Sequence, residues 1–249
     1  MYISYSLWGS NEVYTYGMIE NVLLAKEIYK GWKVRIHYND TVPQKVIEWL
    51  EAQDNVEMVH HRGKDALASN MFWRLYDLFL PDTVVIIRDA DSRLSIYEKT
   101  MVDEWLNSSK DFHVIRGHPS HTVPILGGTC GCRNNLLKYI HISNGTRDVN
   151  SPPLSFMGAD TFLNWFSTNL TSETDKYNID QIFLCQYIYP IVASSLFVHT
   201  VKDRVYEPFA KIIETRETLF MGEIVTNCPN AAEIMNDANV VFTRKPAYT

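Results

Sequence analysis

Residues 83–94 read Thr83-Val84-Val85-Ile86-Ile87-Arg88-Asp89-Ala90-Asp91-Ser92-Arg93-Leu94. The first five form the most apolar strand-like run in the chain, and an unbroken β-branched stretch suits a central strand covered on both faces. The run ends on two carboxylates one residue apart, with an arginine on each side. Asp-X-Asp by itself is a weak signal, since it decorates many turns and helix caps. Its place at the end of a buried strand gives it weight.

Strand and helix signals alternate around that run. Tyr2 to Ser6 is β-prone, and a loop follows through Asn11. From Tyr14 to Tyr29 apolar residues recur at helical spacing (Met18, Val22, Ala25, Ile28) until Gly31. Lys33 to Tyr38 alternates as a strand, Pro43 opens a helix to about Ala52, and Val56 to Val59 is a short strand. Asn70 to Leu80 predicts a third helix, stopped by Pro81. Leu94 to Trp105 predicts a fourth, with Ser95 as N-cap and Glu98 as its capping-box partner. The repeated order predicts an α/β fold with a mostly parallel sheet and helices on both faces. Ligands of such sheets gather outside the carboxyl ends of the strands, where Arg88 to Arg93 falls.

Past residue 110 the pattern loosens. Phe112 to Arg116 and Leu196 to Thr200 read as strands, and Asp160 to Trp165 and Asp180 to Tyr189 as helices. His118 to Gly131 and Asn144 to Pro153 read as loops, and residues 205–249 carry no motif. We expect one domain over 1–249. It divides into residues 1–110, residues 111–200, and an extension over 201–249.

Composition narrows the function classes. Apolar residues make up 46% and charged residues 21%, enough for a sizeable core. A net charge of −6 without a basic stripe argues against nucleic acid as a partner. No apolar run reaches the length of a membrane span, and Met1 to Glu12 does not read as a signal peptide. The expectation is a cytoplasmic protein, with Cys130, Cys132, Cys185 and Cys228 as reduced thiols. The sequons at Asn107, Asn144 and Asn169 are then accidental.

The acidic pair suggests its own chemistry. Mg²⁺ and Mn²⁺ are hard ions bound through one or two carboxylates together with substrate phosphates. Asp89 and Asp91 can present such a pair, and the ion offsets charge on a departing diphosphate. The plainer reading is that Arg88 and Arg93 neutralise the same carboxylates. A phosphohydrolase using Asp89 as nucleophile is disfavoured, because position 93 is Arg where a Thr is usual.

Met71-Phe72-Trp73-Arg74-Leu75 followed by Val84 to Leu94 resembles the donor-binding core of GT-A-type glycosyltransferases. The similarity is greatest to small enzymes of large DNA viruses (chlorovirus-like) and some bacteria. Trp8-Gly9-Ser10-Asn11, Tyr16-Gly17 and Lys30-Gly31-Trp32-Lys33 share it. It extends to about residue 200, and Arg88-Asp89-Ala90-Asp91-Ser92-Arg93 is its specific part. The resemblance implies a GT-A-like, Rossmann-like fold. It also implies metal-dependent transfer of a monosaccharide from a nucleotide-diphosphate sugar, with UDP expected, to a hydroxyl of a glycan or glycoprotein. In a viral setting that would be host cytoplasm.

On this resemblance Asp89, Asp91 and His199 hold Mn²⁺ or Mg²⁺. The plain alternative for His199 is a half-buried imidazole bonded to a carbonyl. Ser4, Tyr5, Ser6 and Trp8 fall where nucleobase and ribose would lie. Arg74, Arg88 and Arg93, with Asp89 and Ala90, fall near the diphosphate. Gly127 and Gly128 resemble an acceptor-side glycine pair, although a tight turn explains them equally well. Asp180 is the candidate general base of an inverting reaction, ahead of Asp160. Each is also an ordinary helix-cap residue. His60, His61, His118 and His121 are read as bystanders. Two other readings stay open: a nucleotidyltransferase that makes nucleotide sugars, and a catalytically silent sugar-binding domain. The segment Leu7 to Glu12, with one glycine and no basic residue, counts against the nucleotidyltransferase.

Overall fold

The computed structural model describes residues 1–62, 68–134, 136, 139 and 177–237. The helix expected at Asp160, the loop from Asn144 and the sequons at Asn144 and Asn169 lie outside them.

Strand β4 (Val84–Ile87) lies near the middle of an eight-stranded sheet. Its neighbours β1 (Tyr2–Leu7), β2 (Lys33–Tyr38) and β3 (Val56–His60) run parallel to one another, and β1 runs parallel to β4. On the other side stand β6 (Cys130–Arg133), β5 (Phe112–Arg116), β7 (Leu196–Thr200) and the two-residue β8 (Lys211–Ile212). The order is β3-β2-β1-β4-β6-β5-β7-β8, and β6 alone is antiparallel to its neighbours. The sheet is therefore mostly parallel, as its apolar central strand predicts.

Both faces are covered. On one, Ile3, Tyr5, Leu7 and Ile86 pack against α1 (Glu12–Ile28), α2 (Gln44–Glu51), α3 (Ile96–Leu106) and α6 (Pro229–Asn236). On the other, Val85 and Ile87 pack against a 3₁₀ segment, Ala68–Phe79, and against α4 (Ile179–Phe183) and the turns after it. The two apolar side-chain rows of β4 thus feed two cores, which is why its sequence shows no polar alternation.

Several local expectations are corrected. The predicted helix from Asn70 is a 3₁₀ segment, because β1 intrudes on its hydrogen-bond ladder: Ser6 Oγ takes the Arg74 N–H at 3.0 Å and Ser4 Oγ donates to Arg74 O at 3.1 Å. The capping box at Ser95 is half formed. Ser95 Oγ accepts from Glu98 N at 3.1 Å, but the Glu98 carboxylate turns to Arg88 (2.6 Å) and the Tyr29 hydroxyl (2.9 Å). The helix expected over Asp180 to Tyr189 is α4, a π-helical turn Leu184–Ile188, and then α5 (Tyr189–Val192). Pro190 has no N–H to donate and crowds the carbonyl four residues back, so the ladder opens just before it. Strand β6 falls partly inside an expected loop, and α6 inside a stretch without motif.

Among the described residues no helix is long and apolar enough to cross a membrane. None of the four cysteines is in a disulfide; Cys130, Cys132 and Cys228 are buried.

Candidate active site

The parallel register Ser4↔Ile87 brings the carboxyl ends of β1 and β4 to one edge of the sheet. Antiparallel β6, pairing Cys130 with Ile87, delivers the loop before it to the same edge. Between them opens a cleft of about 820 Å³, within the range of small-ligand sites. The walls include Asp89, Ala90 and Asp91 from the turn after β4, Ser6 of β1 and Trp8 just beyond it, and Gly127 and Gly128 from the loop before β6. Arg74 from the 3₁₀ segment and Asp180 from α4 close the floor. Nine of the residues expected at the site therefore meet in one cavity.

The Asp-X-Asp turn is held from behind. Asn21, fully buried in α1, donates from Nδ2 to Ala90 O (3.2 Å) and Ser92 O (2.7 Å), and its Oδ1 accepts from Leu94 N (3.1 Å). Gly17 lets α1 approach this turn: a methyl there would overlap the Ala90 carbonyl and meet Arg93 Nη1 at 3.0 Å. The C-terminal segment seals the outside. Val225 N donates to Asp91 O (2.8 Å), Gly222 N to Ser92 Oγ (3.2 Å), and Glu20 on α1 accepts from Ala231 N (2.9 Å) at the start of α6.

The two carboxylates differ in setting. Asp89 is about one-third exposed, and its Oδ1 is ion-paired with Arg74 Nη1. Asp91 is only 8% exposed and makes no ion pair with a described residue. Burial, and after it the negative charge on Asp89, pushes the Asp91 carboxyl up to about 6. Two carboxylates facing one cavity, one of them buried, are a donor set that a hard divalent cation fits, with ligand oxygens filling its remaining positions. Among the described residues no group of three or more His, Cys, Asp or Glu side chains is clustered for an ion.

Arg74 bridges two acids. Its Nη2 reaches Asp180 Oδ2 at 2.8 Å while Nη1 holds Asp89. Burial opposes its charge, but the two carboxylates outweigh that and hold its pKa above the ordinary value. Asp180 is 2% exposed, and its Oδ1 accepts from Gln181 N at 2.9 Å. The glycines roof this trio. A methyl on Gly128 would overlap Asp89 Oδ2 and lie 2.5 Å from its Cγ. A methyl on Gly127 would overlap Asp180 Oδ2 and lie 2.8 Å from Arg74 Nη2. These glycines are required by lack of room, not by a left-handed backbone.

Five expected site residues stand elsewhere. Ser4 and Tyr5 are buried beneath the cleft. The Ser4 hydroxyl is spent on Arg74 O, and the Tyr5 ring belongs to the core, because inward and sideways positions alternate along β1. Arg88 is folded inward on Glu98, Ile87 O (2.7 Å) and Cys130 O (3.1 Å). Arg93 donates to Ala90 O, Ser92 O, Val225 O and Cys228 Sγ, so it splices the turn to the C-terminal segment. Neither flanking arginine pairs with Asp89 or Asp91. His199 is fully buried in β7, its Nδ1 2.9 Å from His113 Nε2 and its Nε2 2.7 Å from Glu104. With both nitrogens engaged away from the cleft, it does not join the acidic pair.

Other residues enter the cleft unforeseen. Tyr14, Tyr177 and Phe220 line it, as does His121. Trp8 is braced edge-on by Trp73 (6.4 Å, 78°), which itself stacks on His61 at 4.4 Å.

No protein-family model matches the chain, and neither does any curated protein. Among solved structures, a Bacillus anthracis protein assigned as a glucose-1-phosphate thymidylyltransferase, in complex with a sucrose, is similar at 12% identity. The match covers 67% of this chain and 83% of that one, with a TM-score of 0.38. A likeness that loose carries no weight for the activity.

Proposed function

We propose that the chain is a metal-dependent glycosyltransferase of the GT-A type, moving a monosaccharide from a nucleotide-diphosphate sugar to a hydroxyl of a glycan or glycoprotein. UDP is the expected nucleotide. The observation that carries this reading is the Asp89–Asp91 pair in one cleft, with Asp91 buried, lacking a described ion-pair partner and shifted up to about 6. Such a site favours a cation. Asp89 and Asp91 would hold Mn²⁺ or Mg²⁺, which when bound supplies Lewis-acid compensation of the diphosphate charge.

In this reading Arg74 orients both Asp89 and Asp180 through its forked guanidinium. Asp180 receives the acceptor proton from the side opposite the diphosphate, which inverts the anomeric centre. Trp8 offers an apolar wall for a base, and Gly127 and Gly128 let the loop before β6 close over Asp180 and Asp89. The segment Trp8 to Asn11 lines the cleft without a basic side chain, which suits a diphosphate better than a triphosphate.

The test is a panel of UDP- and GDP-sugars, scored for hydrolysis in Mn²⁺ and in EDTA. Slow release of nucleotide that requires Mn²⁺ and is lost in Asp91→Ala supports the proposal. A panel with no metal-stimulated turnover in the folded wild type would overturn it.

A further inference from the structure

His121 sits at a cysteine-free loop position that the sequence marks as a bystander, yet it is 6% exposed and lines the cleft beside Gly128 and Asp89. Its ring lies 5.9 Å from Phe220 and 6.2 Å from His118, and both rings are set edge to face against it. Nδ1 is sealed from solvent and has no hydrogen-bond partner among the described residues. Among the described residues Nε2 has none either. Gly222 lies beside it, where a methyl would sit 3.4 Å from Nε2, at ordinary contact distance.

The tautomer follows from these facts. A buried N–H without an acceptor costs more than a bare lone pair, so Nδ1 is the unprotonated nitrogen and the proton belongs on Nε2. Burial, reinforced by His118 and only partly opposed by Asp89, lowers the ring pKa to about 4, so the ring is uncharged near neutrality. This argues against a metal ligand. Imidazoles that bind metals pass their second N–H to an acceptor, and Nδ1 has no acceptor here. What remains is a neutral donor in a cleft rich in carboxylates, where Arg74 is already committed to two of them.

We propose that His121 donates a hydrogen bond from Nε2 to an oxyanion of the bound ligand, a diphosphate oxygen of the nucleotide. This rests on the function proposed above. A neutral donor suits this position, because it binds an anion without competing with a cation for Asp89 and Asp91.

The experiment compares wild type, His121→Phe and His121→Gln as full chains. Each is titrated with UDP in saturating Mn²⁺ by calorimetry, and with Mn²⁺ alone by electron paramagnetic resonance. Loss of a hydrogen bond to a charged group predicts roughly ten- to hundredfold weaker UDP binding for His121→Phe. His121→Gln, which keeps an amide donor at a similar reach, should retain most of the affinity, and Mn²⁺ binding without nucleotide should be equal in all three. UDP affinity unchanged in His121→Phe overturns the proposal, as does a Gln variant as weak as the Phe variant. A parallel loss of Mn²⁺ affinity would make His121 a ligand and also overturn it. If wild type binds no UDP in Mn²⁺, the function proposed above fails, and this inference falls with it.

Discussion

Replacing Asp91 with Asn should make the metal-free protein more stable at neutral pH. The carboxyl titrates at about 6 in the folded chain against an ordinary 3.8. Below about pH 4 it is protonated in both states and nothing is lost. As pH rises, the unfolded chain ionises first, so folded-state stability declines, and the full cost is present above about 6. At ~1.36 kcal/mol per pH unit, the interval between 3.8 and about 6 corresponds to about 3 kcal/mol. Asn never ionises and avoids that cost. For a domain of this size each kcal/mol moves the melting temperature by roughly 2–4 °C, so the gain at pH 7 is on the order of 6–12 °C. Calorimetric melts of both proteins in EDTA from pH 4 to pH 8 read the difference, with titrating groups remote from the Asp89–Asp91 pair cancelling. A gap that widens between pH 4 and pH 6 and then levels is the expected result. A variant no more stable than wild type at pH 7, or a gap that ignores pH, would refute the reasoning.

The two roofing glycines should fail differently. Gly128→Ala displaces the Asp89 carboxylate and should weaken Mn²⁺ binding by roughly ten- to hundredfold, measured by Mn²⁺ titration. Gly127→Ala strikes Asp180 and Arg74, so its main effect should be lower turnover of nucleotide sugar, with a smaller loss of Mn²⁺ affinity passed on through the Arg74–Asp89 pair. Arg74→Met strips the partner from Asp180, which is 2% exposed, and should cost about 3–5 kcal/mol in denaturant unfolding at pH 7.

The sheet was legible because its strands speak locally. Lys33–Tyr38, Phe112–Arg116 and Leu196–Thr200 fall where alternation and β-branching place them. The acidic pair was legible because a buried strand must end at a sheet edge. Strand β6 was hidden, since Cys130-Gly131-Cys132 is strand only by pairing with Ile86 and its neighbours, where Gly131 leaves room for Trp105. His199 misled for a related reason. Which face a strand residue takes depends on register with β5, and that register turns its ring toward His113 and Glu104. Asn21 and Glu20 look like ordinary polar positions on an amphipathic helix. Their buried partners, the Ala90 turn and the start of α6, lie about 70 and 210 residues away in sequence. In sequence His121 reads with His118 as a bystander, because a loop histidine acquires meaning only from the cavity around it.

The central claim is that Asp89 and Asp91 bind nucleotide through a shared cation. Its most direct test is calorimetric titration of UDP into the full chain, once with saturating Mn²⁺ and once with EDTA, alongside folded Asp91→Ala. The account predicts binding in Mn²⁺ that vanishes in EDTA and in the variant. Equal UDP affinity with and without Mn²⁺ would contradict it.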